Sequence, residues 1–127
     1  MRYLTTEEIL AIHEKLTEKV GGSSGVREEN LLHSIAERPK TSFDGQEQFP
    51  TLFLKAAACF EAIATYHVFV DGNKRTAITV AGAFLFANGY EIELAVDESE
   101  KFIIAAAQRQ KELGEIAAWL EKNSKKA

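Results

Sequence analysis

A chain of 127 residues, 46% hydrophobic and 27% charged, has the size and composition of an ordinary globular protein, and one domain over residues 1–127 is expected. A net charge of −4 argues against direct, non-specific nucleic-acid binding, and the apolar run Ala77 to Ala87 is too short to span a bilayer, so neither nucleic acid nor membrane is expected as a partner. Cys59 is the only cysteine, which excludes an intrachain disulfide and fits a reducing cytoplasm.

Thr5 and Glu8 have the spacing of a capping box, and the run behind them places Ile9, Ile12, Leu16 and Val20 near one helical face before Gly21-Gly22 stops it. Gly21 to Gly25 reads as a flexible Gly/Ser loop. A second helix is predicted over Glu28 to Glu37, burying Leu31, Leu32 and Ile35, with Pro39 ending it. Lys40 to Phe49 loses helical periodicity; Asp44-Gly45 is a hairpin signal between Phe43 and Phe49, so this is a small β-flap or an irregular loop.

Pro50 suits the start of a third, Ala-rich helix running to about Tyr66 through Leu54, Phe60 and Ile63, with Cys59 packed inside it. His67 to Gly72 breaks the pattern. Asn73 opens a fourth helix that ends at Asn88-Gly89. Tyr90 to Val96 reads as an extended link, Asp97 with Glu100 as the cap of a fifth helix through Ala107, and Ile116, Trp119 and Leu120 as the buried side of a sixth. The basic tail Lys122 to Lys126 reads as a frayed, solvated helix end. The class is all-α: a compact bundle of about six helices with a possible small β-flap.

The chemistry concentrates in His67 to Arg75, HVFVDGNKR. A turn at Gly72-Asn73 opening a helix leaves backbone N–H groups unpaired, which makes an anion site. Lys74 and Arg75 add positive charge where the helix dipole opposes it, a local conflict that points to a bound anion. Asp71 is a hard oxygen ligand of the kind that holds Mg²⁺ beside phosphates. His67 is placed to take a proton from an attacking hydroxyl. Phe69 reads as the anchor of the loop in the core. The stretch lacks the glycine spacing of a P-loop, and no third His or Cys completes a zinc site. His13 and His33 lie away from the motif and receive no role. These residues by themselves describe Mg²⁺-nucleotide binding with nucleophile activation, which leaves several transferases open.

The motif resembles that of the Fic superfamily, His-Pro-Phe-x-Asp/Glu-Gly-Asn-Gly-Arg-x-x-Arg, at His67, Phe69, Asp71, Gly72, Asn73 and Arg75. Val68 replaces the proline, Lys74 the second glycine and Ile78 the second arginine. The last two departures, with the run NKRTA from Asn73 to Ala77, are similar to the Doc (death-on-curing) toxin branch. So are the leucine-rich stretch Leu31 to Pro39, the flap Lys40 to Phe49, the Ala-rich stretch Leu54 to Ala64, and Asn88-Gly89-Tyr90.

The resemblance implies a toxin of a toxin–antitoxin system. Its activity would be a protein kinase that moves the γ-phosphoryl group of ATP, with Mg²⁺, to a hydroxyl of a translation factor of the elongation factor Tu type. His67 would then be the general base and Asp71 the Mg²⁺ ligand. Gly72, Asn73, Lys74 and Arg75 would bind the phosphates, Lys74 and Arg75 also acting in catalysis. Thr41, Ser42, Phe43, Asp44 and Gly45 would align the target by strand addition. Lys74 in place of glycine disfavours close approach of the α-phosphate and so disfavours the alternative, AMP transfer. The restraining Ser/Thr-x-x-x-Glu-Gly/Asn pattern of some Fic proteins fails here at Glu29, after Ser24 and Glu28. Restraint is expected instead from a small antitoxin with a disordered tail. The remaining alternative is a non-catalytic, antitoxin-binding regulatory module.

Overall fold

In a computed structural model describing every residue from Met1 to Ala127, the polypeptide forms six α-helices and two small two-stranded sheets. They follow the order α1 (Thr6–Val20), α2 (Glu29–Glu37), β1 (Ser42–Phe43), β2 (Gln46–Glu47), α3 (Leu52–Tyr66), α4 (Asn73–Ala87), β3 (Tyr90–Ile92), α5 (Val96–Ala107), α6 (Leu113–Lys122) and β4 (Ser124–Lys126). No helix is long and apolar enough to cross a membrane.

The bundle is organised around α3, which is buried on nearly all sides because its residues are apolar all round. Ala56, Ala57, Ala58, Ala62 and Ala64 lie buried, and such small side chains let α4 and α6 approach closely. The facing surface of α4 is Ala77, Val80, Ala81, Phe84 and Leu85, the i, i+3, i+4 recurrence of one helical face. Ile116 and Leu120 of α6 close the core from the other side. Each large apolar side chain so buried contributes about 1.5–3 kcal/mol. Arg38, in a 3₁₀ turn after α2, ties α2 to α3 by donating to the Ala58 carbonyl at 3.0 Å and pairing with Glu61 at 2.9 Å.

The capping box forms: Thr5 Oγ1 accepts from the Glu8 amide and Glu8 accepts from the Thr5 amide. Asp44-Gly45 is a hairpin turn with positive φ at both residues, the geometry that matches the twist of two paired strands.

Several expectations are corrected. Val20 is 60% exposed, and the buried positions of α1 are Ile9 and His13, because the face that packs is one residue round from the aliphatic stripe. Leu31 is only half-buried, the core of α2 being Leu32, Ile35 and Ala36. The fifth helix begins at Val96 after Ala95 with no side-chain cap; Asp97 and Glu98 instead occupy its first turn, where negative charge suits the dipole. The basic tail is not frayed. Ser124–Lys126 pairs antiparallel with Tyr90–Ile92, and Lys125 forms an ion pair with Glu93, so the link at Tyr90 and the tail satisfy each other's backbone groups.

Candidate active site

α3 ends at Tyr66, and His67 caps it in the left-handed conformation, φ 53° and ψ 46°. That reversal turns the chain back into the molecule. His67 is left exposed while Val68 and Phe69 plunge into the core, both fully buried. The carbonyl of Thr65, in the last turn of α3, accepts from Arg109 at 3.2 Å.

The loop is clamped from two sides. Asn73 uses both ends of its side-chain amide on one residue: Oδ1 accepts from the Phe69 N–H and Nδ2 donates to the Phe69 carbonyl, each at 3.0 Å. On the opposite edge Val26 bridges Phe69. The Arg27 amide donates to the Val68 carbonyl at 2.8 Å, and the Val70 amide to the Gly25 carbonyl at 3.2 Å. The end of the Gly21 to Gly25 segment, expected to be flexible, is therefore pinned to the loop through this single antiparallel bridge. The Asn73 side chain is spent on the turn, so what this residue can offer an anion is its backbone N–H.

Gly72, at φ +76°, is the N-cap of α4 and supplies the left-handed step that the turn requires. The first helical hydrogen bond of α4 runs from the Thr76 amide to the Gly72 carbonyl, and no side chain caps the helix. The N–H groups of Asn73, Lys74 and Arg75 thus lack protein partners and point along the positive end of the dipole. Lys74 and Arg75 are both exposed, and neither enters any of the six ion pairs. Two unpaired cations over an uncapped N-terminus repel each other and the dipole; an anion relieves both.

These groups open on a cleft of about 480 Å³ between α4 and α5. Its polar wall is Asp71 to Arg75, and its apolar wall includes Ile78, Leu94, Val96 and Ile103. One charged end and one apolar end suit a nucleotide-sized ligand. Asp71 is exposed; its Oδ1 accepts the Gly72 amide at 2.8 Å and its Oδ2 lies over Gly22. One exposed carboxylate beside an anion-binding helix start could hold a hard cation such as Mg²⁺. No group of three His, Cys, Asp or Glu side chains converges there, so the protein alone does not build a metal cage.

Two contributors escaped the sequence reading. His13, expected to have no role, is 1% exposed, stacks on Phe69 with ring centroids 3.8 Å apart, and bonds the Asp71 carbonyl at 2.8 Å. Its i+4 spacing from the buried Ile9 was the available signal. Gly22, at φ +110°, passes so close to Asp71 that a Cβ there would sit 2.7 Å from Oδ2. The residues Thr41 to Gly45 form an exposed hairpin arm, with Phe43 86% exposed. That arm is held to the body through Glu47, which pairs at 2.8 Å with the buried ammonium of Lys55; the same ammonium donates to the Pro39 carbonyl at 3.2 Å.

A model of the Fic/DOC family matches residues 3–85, about two thirds of the chain. The chain belongs to the Fic/Doc family. Among its Fic/Doc relatives, "Toxin Doc" of Mycolicibacterium smegmatis (strain ATCC 700084 / mc(2)155) is 37% identical over 120 residues, covering 93% of this chain and 90% of the relative. "Protein kinase doc" of Escherichia phage P1 is 33% identical over 92 residues, covering 72% of each chain. The Fic/Doc match takes in α1 to α3, all but the last two residues of α4, the flap and the loop from His67 to Arg75. The α5 wall of the cleft lies beyond it.

Proposed function

We propose that this Fic/Doc protein is the toxin of a toxin–antitoxin pair. As such it is a Mg²⁺-dependent protein kinase that moves the γ-phosphoryl group of ATP to a hydroxyl of a translation factor of the elongation factor Tu type. The observation that carries the reading is the uncapped start of α4, where three free N–H groups, Lys74 and Arg75 face one end of the cleft. The name of the phage relative, a protein kinase, supports the choice of reaction, and that of the mycobacterial relative, a toxin, supports the biological role.

In this mechanism the terminal phosphate lies at the α4 N-terminus, and the nucleoside extends toward the apolar wall of Ile78, Leu94 and Ile103. His67, exposed at the mouth of the loop, takes the proton of the target hydroxyl as its oxygen attacks the γ-phosphorus. The bond from that phosphorus to the β–γ bridging oxygen breaks, and ADP leaves. Lys74, Arg75 and the backbone N–H groups stabilise charge on the equatorial oxygens of the transferring group. Asp71 is the residue that would hold Mg²⁺, which when bound would supply charge neutralisation at the phosphates. The exposed hairpin Thr41 to Gly45 presents its edge to an extended segment of the target and so aligns the hydroxyl. The antitoxin is a small protein whose disordered tail folds on the toxin.

The test uses ATP labelled at the α or the γ position, with Mg²⁺ and purified elongation factor of the Tu type. Transfer of γ label, lost in His67→Ala and Asp71→Asn, is expected. Transfer of α label instead would replace the kinase reading by AMP transfer. Undiminished growth inhibition by His67→Ala on expression would favour a non-catalytic binding module.

A further inference from the structure

His13 lies on α1, far along the chain from the motif, yet it touches the loop at two points. Its ring lies flat on Phe69, 3.8 Å between centroids and 3° between planes, and its Nε2 stands 2.8 Å from the Asp71 carbonyl oxygen. A carbonyl only accepts, so Nε2 carries a proton, and in the neutral ring Nδ1 is then an acceptor. That Nδ1 is buried without a protein partner. The hydroxyl of Thr76, fully buried one turn into α4, is in the same condition. Both residues line one small, partly open cavity of about 10 Å³, with Gly22, Asp71, Gly72 and Arg75 also on its wall. A polar cavity of that volume has room for roughly one water molecule.

We propose that His13 is a positioning residue for the phosphate loop. Its Nε2–H holds the Asp71 carbonyl, and this fixes the peptide that leads into the left-handed Gly72 and aims the N–H groups of Asn73 to Arg75 at the cleft. A single water in this cavity would join Nδ1 to the Thr76 hydroxyl and tie the ring to α4. Stacking on Phe69 sets the plane of the ring; the N–H sets the loop. The kinetic part of this inference rests on the phosphoryl-transfer reading above, whereas the hydrogen-bonding part stands without it.

Two substitutions separate the roles. His13→Phe keeps an aromatic ring on Phe69 and removes the donor; His13→Gln loses the ring and keeps an ε N–H. A purely packing role ranks Phe above Gln in both stability and activity. The positioning role reverses the activity ranking: His13→Phe loses about 10- to 100-fold in kcat while remaining folded, and His13→Gln recovers much of it. Thr76→Val is expected to lower kcat by a smaller factor with the fold intact. In the parent protein, ¹⁵N NMR of the imidazole is expected to show a protonated Nε2 and a bare Nδ1.

Parental kcat in folded His13→Phe, His13→Gln no better than His13→Phe, or a ring protonated on Nδ1 would each overturn the inference. Parental kcat in Thr76→Val would overturn the water bridge. If His13→Phe does not fold, the ring tautomer and the His13→Gln amide shifts of Gly72 to Arg75 decide, unchanged amides being expected and a displaced loop refuting. If the parent itself transfers no γ label, the kinase reading fails, and the same NMR measurements still judge the positioning.

Discussion

Replacing Asn73 by alanine removes two hydrogen bonds at once from the backbone of Phe69, a residue with no exposed surface. Each such bond contributes about 0.5–1.5 kcal/mol net, and leaving a buried partner unsatisfied costs about 1–3 kcal/mol. The loop's other edge, paired with Gly25 to Arg27, serves Val68 and Val70 and cannot take over the Phe69 groups. The loss is therefore about 2–4 kcal/mol, which for a domain of this size lowers Tm by roughly 8–15 °C. Asn73→Asp keeps the acceptor for the Phe69 N–H but sets a carboxylate oxygen against the Phe69 carbonyl. Part of that loss is returned, about 0.3–1 kcal/mol, by negative charge at the helix start. Asn73→Asp should accordingly melt between Asn73→Ala and the parent, yet be inactive, since it carries a negative charge into the proposed phosphate site. Thermal unfolding followed by circular dichroism, beside γ-phosphoryl transfer, gives both rankings. A Tm for Asn73→Ala within about 2 °C of the parent, against a loss of this size, would refute the claim that this side chain holds the loop.

Asp71→Asn should leave Tm almost unchanged, because its carboxylate is exposed and its one protein bond, to the Gly72 amide, can be kept by the amide oxygen; γ transfer and its Mg²⁺ dependence should be lost together. Gly22→Ala forces a Cβ to within 2.7 Å of Asp71 Oδ2 at a φ of +110°, so a destabilisation of about 1–3 kcal/mol and weaker Mg²⁺ dependence of transfer are expected, measured by denaturant melts and metal titration. Lys55→Met removes the buried tether of Glu47 and leaves the Pro39 carbonyl without its donor. Roughly 1–3 kcal/mol should be lost, and amides of residues 42–47 should exchange faster with deuterium while those of α3 do not. Burial pushes the Cys59 thiol from its ordinary value near 9 up to about 12. The native state then holds its proton where the unfolded state releases it, so this residue's contribution is complete below pH 9 and declines as pH rises toward 12. A Cys59→Ala comparison of melts across that window checks the sign, and the native thiol should resist alkylation.

Local signals in the sequence were enough for the helices, the hairpin and the loop. Thr5 with Glu8, Asp44-Gly45 and Gly72-Asn73 act through bonds or dihedral angles within a few residues, and the chain needs no distant partner to express them. The residue types that make His67 to Arg75 a candidate site, an imidazole, a carboxylate and two cations beside a helix start, are likewise read from the sequence alone. Contacts across the chain were not legible. Ser124 to Lys126 is charged and short, and only the exposed backbone of Tyr90 to Ile92 makes it a strand. The glycine segment reads as slack until Val26 is seen beside Phe69. Asn73 reads as a phosphate ligand until its amide is found on the Phe69 backbone. His13 is 58 positions from the carbonyl it holds, and no periodicity reports a hydrogen bond of that span. What the amino-acid order determined by itself was therefore the set of candidate reacting groups and the helix that starts among them. Packing of α1, the glycine segment and α4 around Phe69 decided how that loop is held, because the energy that orients it comes from residues brought together only by folding.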